Sequence, residues 1–295
     1  MGLDLSRIGG SDMCCILTGQ DPWGKTPLDV YLRIVEGISR PSTAAMDKGK
    51  IFEKAIGNWW AARHGREVRW ISESIHPEDR PWQRATPDLT SPTSDGFDIG
   101  DVKRYRDVRH SCGEPGTDQI GRYELIQLHT YAEAMEHVGI GRPSNLLLMV
   151  HDLWTDELVD YSAAYEPELG ARIVEAAEKF WRDHVLAKKA PPMNGGHGAR
   201  AWLESRYPRQ TKAAREATAV ETALASRLRE IESTSRQLER EADAIKNELR
   251  ANIAEHEKVT GEFGSITWTH VEGAAVSYER KPYRALKTNF RREKR

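Results

Sequence analysis

One long heptad pattern restricts the fold of this chain more than any other feature. Between Leu224 and Asn252, the residues on one helical face recur at alternating spacings of four and three, while their neighbours are charged or polar. This pattern is typical of a long helix with a single seam, and it does not suit a β-strand. We therefore predict a helical, coiled-coil-like segment at 209–260. The seam positions are Leu224, Leu228, Ile231, Ser235, Leu238, Ala242, Ile245, Leu249 and Asn252.

The residues before this segment alternate between helical and strand-like patterns. Apolar pairs at helical spacing predict a helix at 43–64, and further helices are expected at 119–137 and 166–187. Short apolar or alternating runs between them predict strands. This order predicts an α/β fold with one central mixed sheet flanked by helices. The strand-like runs lie at 67–77, 84–89, 96–105, 145–151 and 157–164.

Changes in composition divide the chain into four parts. The α/β pattern defines a domain at 1–190, and a stretch rich in proline and glycine follows, which we interpret as a linker at 191–208. After the helical segment, residues 261–295 are expected to form a short strand and a basic tail. The charge of this tail suits DNA phosphates, and it equally suits a disordered end.

Composition also excludes several classes of protein. The net charge is -2, so any charge that attracts nucleic acid must be local. No run of about 18 apolar residues predicts a membrane span, and the start of the chain lacks the pattern of a secretory signal. The three cysteines form no C-x-x-C pair, which argues against a disulfide framework or a zinc site. We expect a cytoplasmic protein without a membrane partner.

An Asp-x-Lys triplet lies within one of the strand-like runs. Residues two apart in a strand point to the same face, so Asp101 and Lys103 should lie side by side. Asp88, which follows Pro87, could reach the same place. Carboxylate oxygens suit Mg²⁺ or Mn²⁺, and a nearby ammonium can position water or offset phosphate charge. Such triplets are common, however, and this one taken alone more often indicates a surface Asp–Lys pair at a hairpin.

Two further groups could join these side chains. Glu53 lies on an apolar helical stretch, where a half-buried acid needs a partner, although a solvated pairing with Lys50 or Lys54 is the alternative. Gln127 and Tyr131 are four apart and therefore share one helical face.

Taken in order, these motifs carry a family resemblance. The series G-K-x-x-E, T-P-D, D-x-K and Q-x-x-x-Y resembles the PD-(D/E)-x-K nuclease superfamily, and more narrowly the YqaJ-type viral recombinases and phage lambda exonuclease. The stretches RIGGSD and PWGKTPLDVYL near the start also resemble the YqaJ family. The resemblance covers about 5–190 and implies a restriction-endonuclease-like core. This chain departs from the family pattern at Asp101, where glutamate is usual, and at Leu89, where glycine is usual. Neither departure removes a residue that the resemblance implies as a metal ligand.

The resemblance implies a metal site of the following composition. Asp88, Asp101 and the Val102 carbonyl would bind one or two Mg²⁺ or Mn²⁺ ions. Glu53 would act at this site directly or through water. Lys103 would activate or position the attacking water.

It also implies residues that contact the substrate. Gln127 would orient Lys103 or the scissile phosphate, with support from Tyr131. Arg7 and Ser11 match positions that hold a 5′-terminal phosphate. A basic loop after the D-x-K triplet could follow the DNA strand, although a solvated loop fits equally. The further residues expected to contact DNA are Lys50, Arg104 and Arg106.

The implied function is a Mg²⁺-dependent exonuclease that digests double-stranded DNA ends in the 5′→3′ direction. The single-stranded overhangs that it leaves would serve phage-type recombination by single-strand annealing, with an annealing protein as partner. The resemblance also implies a trimeric ring as the assembly. The gene would belong to a phage or prophage and be expressed in a bacterial host. The alternatives are an endonuclease of restriction or defence and a non-catalytic DNA-binding or coiled-coil adaptor. The helical segment could drive oligomerisation, bind a partner recombinase or clamp duplex DNA.

Overall fold

The computed structural model of the chain describes residues 6–39, 41–193, 197–210 and 214–272. The chain divides into two compact units, the first ending at Ser205 and the second beginning at Arg206. The predicted basic tail lies outside the described residues. None of the described helices is both long enough and apolar enough to cross a membrane.

A mixed five-stranded sheet forms the centre of the first unit. The strands of this unit are β1 (Ile8–Gly9), β2 (Arg69–Trp70), β3 (Gln83–Arg84), β4 (Leu89–Thr93), β5 (Gly96–Tyr105), β6 (Asn145–Asp152) and β7 (Glu157–Ala164). The sheet has the order β2-β4-β5-β6-β7, and a separate parallel pair joins β1 to β3. Within the sheet, β5 and β6 are parallel, whereas the other neighbours are antiparallel.

Two helices cover the faces of this sheet, α3 (Ala44–His64) on one face and α4 (Arg122–His137) on the other. The other helices of the first unit are α1 (Gly10–Thr18), α2 (Pro27–Val35), α5 (Pro167–Phe180) and α6 (His197–Arg206). The interior strand β6 is apolar from Leu146 to Val150, and both of its faces are buried there. Leu146 and Leu148 pack in the core that contains α4, whereas Leu147 and Met149 pack in the core that contains α3. The mixed α/β prediction is therefore confirmed.

Two of the expected strands are shorter than predicted. The run at 67–77 forms only β2 and an isolated bridge between Ile75 and Ala85. The run at 84–89 divides into β3 and β4, so that Asp88 lies just before a strand rather than inside one. Pro87 explains the division, because proline has no N–H to donate to a ladder.

The helices also differ from their predicted bounds in three places. The helix expected at 166–187 is α5, which continues as a π-helical stretch over Trp181–Leu186. The helix expected at 119–137 begins at Arg122. The stretch 191–208, predicted as a linker, contains α6, whose Ala199 is buried in a core cluster of the first unit.

The second unit contains a long helix and a hairpin, namely α7 (Ala219–Ile253), β8 (Lys258–Gly261) and β9 (Gly264–Thr267). The predicted long helix is present but shorter than 209–260. It begins at Ala219 because the Thr218 hydroxyl accepts from the Glu221 N–H, while the Glu221 carboxylate accepts from the Thr218 N–H. It ends before Ala254, whose φ of 50° leaves the helical region.

Candidate active site

Asp101 and Lys103 meet on the face of β5 that is turned towards α4. Ile99, two residues earlier on this strand, packs in the core that contains α4, and side chains alternate along a strand. The Lys103 ammonium forms an ion pair with the Asp101 carboxylate. Asp101 is only 1% exposed, so the triplet is not the surface pair that its sequence alone allows. The structure thus brings the two groups together in a buried position.

Asp88 joins these residues from the segment just before β4. Its carboxylate accepts the Val102 N–H at 2.7 Å, and its own N–H donates to the Gly100 carbonyl at 3.2 Å. Burial raises the pKa of Asp88 well above its usual value, and the negative charge of Asp101 raises it further. Two acids are therefore held close together, an arrangement that a cation would stabilise.

Glu53 faces the same charges from α3. The Glu53 carboxyl is half-buried, and this burial raises its pKa, as does the nearby charge of Asp101. The positive charges of Lys103, Lys54 and Lys50 oppose this effect. Glu53 therefore interacts electrostatically with the D-x-K residues, and Lys50 lies exposed on the same helix.

Lys103 is held in its charged form. Burial alone would lower the pKa of Lys103, but the carboxylates of Asp101 and Asp88 outweigh burial and raise it. An ammonium with a raised pKa donates hydrogen bonds and carries positive charge; it does not readily accept a proton. Lys103 is therefore suited to orienting a water or phosphate oxygen rather than to acting as a base.

Gln127 and Tyr131 complete this cluster from α4. The Gln127 amide donates to the Asp101 carboxylate at 3.3 Å and to the Tyr131 hydroxyl oxygen at 2.5 Å. Both side chains are buried. The Gln127 side-chain oxygen is also buried and has no hydrogen-bond partner among the described residues. A buried acceptor without a donor is costly, so this oxygen has room for a bound water or substrate donor.

The start of α1 lies directly against these two α4 side chains. A Cβ atom at Gly10 would be 2.6 Å from Tyr131 Cε1 and 3.0 Å from Gln127 Cγ, so only glycine allows this approach. Ser11 follows in the first turn of α1 and is half-buried. Arg7 precedes the helix, and its guanidinium donates to the Pro81 carbonyl at 2.7 Å. The proposed phosphate-binding segment therefore borders the acidic cluster.

A buried ion network that the sequence analysis missed holds this segment in place. Asp12 forms ion pairs with Lys25 and, at 2.8 Å, with Arg33. Arg33 also donates to the Arg7 carbonyl at 3.0 Å, and Lys25 donates to the Ser11 carbonyl at 3.3 Å. These contacts fix the backbone on both sides of the α1 start. An aspartate three residues after Gly9 is a helix-start pattern, and it was the only local signal of this role.

An aromatic group near Tyr105 was also missed. Trp23 is 56% exposed, and its ring lies 6.5 Å from that of Tyr105 and 4.6 Å from that of Tyr123. Tyr105 ends β5 and donates its hydroxyl to the buried carboxyl of Glu124 on α4. Trp23 therefore presents an exposed ring on a wall that adjoins the D-x-K strand.

The two predicted arginines after the triplet differ in their surroundings. The Arg104 guanidinium lies 4.9 Å from the centre of the Phe52 ring, and Arg104 is half-buried. Arg106 is exposed. Both follow the D-x-K triplet on the chain, and only Arg106 presents its charge fully to solvent.

The donor set suits a hard divalent cation bound partly by water. Mg²⁺ commonly uses one or two carboxylates and keeps several waters, and Asp88, Asp101 and the Val102 carbonyl could supply such ligands. Within residues 6–39, 41–193, 197–210 and 214–272, no three His, Cys, Asp or Glu side chains are grouped closely enough to hold a metal ion.

Comparison with known proteins finds a relative that spans most of the chain. No family model matches the chain. The uncharacterized protein YqaJ of Bacillus subtilis (strain 168) is 26% identical over 271 residues, which are 88% of this chain and 77% of YqaJ. The chain is similar to YqaJ over most of its length. This match confirms the resemblance to YqaJ-type proteins that the motifs indicated.

Solved structures give a weaker likeness. LHK-Exo in complex with dAMP is 14% identical with a TM-score of 0.48, covering 69% of this chain and 94% of that one. The alkaline exonuclease LHK-Exo from Laribacter hongkongensis is 15% identical with a TM-score of 0.47, covering 63% and 94%. A phage related exonuclease from Haemophilus somnus 129PT is 12% identical with a TM-score of 0.44, covering 62% and 96%. Likeness at this level does not by itself assign a function.

Proposed function

We propose that this protein is a metal-dependent nuclease that hydrolyses DNA from duplex ends. One observation carries the proposal: a buried carboxylate, Asp101, contacts both Lys103 and Gln127, and its charge acts on Asp88 and Glu53. A purely structural pair would need only one partner. A cluster in which acids repel one another, with an ammonium beside them, is typical of a functional site.

The chain's own residues have separable tasks in this proposal. Asp88, Asp101 and the Val102 carbonyl would hold Mg²⁺ or Mn²⁺. The bound ion would lower the pKa of a water and stabilise charge on the phosphate. Lys103 would orient the attacking water or a phosphate oxygen with its ammonium. Gln127 would fix the Asp101 carboxylate and offer its free oxygen to a water.

The start of α1 supports an end-directed activity. The N–H groups at a helix start attract phosphate, and Ser11 lies in this first turn. Arg7 would exchange its bond to the Pro81 carbonyl for a terminal 5′-phosphate. The exposed ring of Trp23 could stack on a base, and Arg106, Arg104 and Lys50 would contact the backbone. These residues favour 5′→3′ digestion of duplex ends.

The wider setting follows from the YqaJ resemblance. Digestion of this kind would leave single strands for an annealing protein in phage-type recombination, in the cytoplasm of a bacterial host. A trimeric ring is the assembly that the resemblance implies for the first unit.

End-labelled linear duplex DNA tests this function. With Mg²⁺ present, we expect early release of a 5′ label as mononucleotide, late release of a 3′ label, and no reaction in EDTA. Covalently closed circular DNA should remain intact. Cutting of the circle would favour the endonuclease alternative, and inert linear DNA would favour the non-catalytic adaptor.

A further inference from the structure

The long helix α7 exposes a regular row of apolar side chains. Leu224, Ile231, Leu238 and Ile245 are 66%, 51%, 59% and 52% exposed, and each lies seven residues after the one before. The helix of 35 residues is about 52 Å long. Large apolar side chains exposed in one contiguous row mark a contact surface.

The row forms one half of a coiled-coil seam. In heptad terms the four exposed residues occupy d positions, and the alternate seam residues occupy a positions. Two of these a residues are small, Ser235 and Ala242. A polar residue at a single a position favours the unshifted register of two identical helices, because only in that register does Ser235 lie opposite Ser235 of the other copy.

The flanking charges indicate which partner this seam accepts. In a parallel pair of identical helices, each g residue lies opposite the e residue five positions later on the other copy. Arg227 would then face Glu232, and Glu241 would face Lys246. The remaining g–e pairs along the seam bring no like charges together. The local ion pairs of Arg227 with Glu230 and of Lys246 with Asp243 are exposed, so they are weak and can exchange.

Antiparallel pairing suits these charges less well. An antiparallel pair opposes e residues with e residues, and when Glu232 lies opposite Lys246, Glu239 lies opposite its own copy, a like-charge contact that the parallel pair lacks. We propose that α7 pairs in parallel and in register with α7 of a second copy of this chain. This pairing joins two copies through the second unit and is independent of the proposed nuclease activity.

Oxidative cross-linking of the full chain tests the orientation. Cys14, Cys15 and Cys112 are buried, so a new surface cysteine should dominate disulfide formation. Leu224→Cys lies near one end of the seam, and parallel pairing brings it against its own copy. We expect covalent dimers from this variant and none from Ala223→Cys, its neighbour on the outer face. Absence of dimers from Leu224→Cys, or equal amounts from both variants, would overturn the proposal.

Charge reversal at the residues that flank the seam provides a second test. Glu232→Lys with Lys246→Glu makes both oppositely charged parallel pairs, 227 with 232 and 241 with 246, repulsive, as does Arg227→Glu with Glu241→Lys. By sedimentation, we expect each double variant to self-associate about tenfold more weakly than the wild type. An equimolar mixture should recover wild-type affinity, because opposite charges then face one another. If the helices were antiparallel, Glu232→Lys with Lys246→Glu would leave positions 232 and 246 oppositely charged, and this double variant would self-associate as strongly as the wild type. Mixing the two double variants would then weaken association. Either of these results would overturn the proposal.

Discussion

Gln127 on α4 donates a hydrogen bond to Asp101 on β5, and the two side chains are both buried. The bond joins the helix to the strand that carries the D-x-K triplet, so Gln127 fixes the orientation of the carboxylate. Gln127→Ala should therefore lower the rate of DNA hydrolysis by roughly 10–100-fold, as for other groups that orient a metal ligand. Tyr131→Phe, which retains the ring, should cost less. Equal losses for both variants would contradict this ordering.

A substitution at Gly10 tests how closely the start of α1 must pack against α4. Gly10→Ala would place a Cβ atom 2.6 Å from the buried Tyr131 ring, so Tyr131 and Gln127 must move. We expect a loss of about 1–3 kcal/mol in the free energy of unfolding and a lower nuclease rate. Gly49→Ala on α3 is the matched control, since nothing lies within 4 Å of its Cβ, and alanine should be neutral or mildly stabilising. Chemical denaturation measures both variants.

Asp12→Asn should destabilise the first unit. Burial would raise the pKa of Asp12, but Lys25 and Arg33 outweigh burial, and the pKa is lowered. Removing the charge leaves two cations without their acid, at a cost of about 3 kcal/mol at pH 7. Asp95→Asn, at an exposed turn, should change stability by less than about 0.5 kcal/mol.

The pH dependence of Asp12 has a definite sign. Because its folded pKa lies below the usual 3.8, its stabilisation is present above that pH and is lost as pH falls through the folded pKa. The difference between wild type and Asp12→Asn should therefore shrink in acid. If the difference in the free energy of unfolding between wild type and Asp12→Asn stayed constant until Asp12 was fully protonated, the ion pairs of Asp12 would not be the source of the stability.

His129 should make stability fall in mild acid. Its Nε2 accepts the Glu166 N–H at 3.3 Å, and its Nδ1 lies 2.9 Å from the Leu125 carbonyl, which assigns the proton to Nδ1. Burial lowers the pKa of His129 below 6.5, so the unfolded chain binds a proton first as pH falls through 6.5. The free energy of unfolding should then fall by at most about 1.4 kcal/mol per pH unit from this group. His129→Gln should flatten that slope between pH 6.5 and 5.

The local sequence pattern was sufficient to predict those elements whose side chains alternate or are apolar throughout. The bounds predicted for β5 and β7 match the structure because turn residues flank each run. The D-x-K geometry was predictable for the same reason, since strand alternation alone places Asp101 beside Lys103. The position of Asp88 outside a strand was not, because it depends on how Pro87 divides the run.

Other parts of the site depend on distant contacts that a single sequence does not reveal. The partners of Asp12 come from the loop before α2 and from α2 itself. The wall formed by Trp23, Tyr123 and Tyr105 brings together three separate elements. The hairpin of β8 and β9 was predicted only in its second strand, because most of the first lies within the range predicted as helical.

The Mg²⁺-dependent rate of linear duplex digestion by Lys103→Ala and Asp101→Asn tests the central claim most directly. Circular dichroism and thermal unfolding would first show that each variant is folded, and Lys48→Ala, an exposed lysine on α3, is the matched control. We predict that the wild type and Lys48→Ala digest the DNA while both site variants lose activity. Full digestion by folded Lys103→Ala or Asp101→Asn would contradict the assignment of this cluster as the nuclease site.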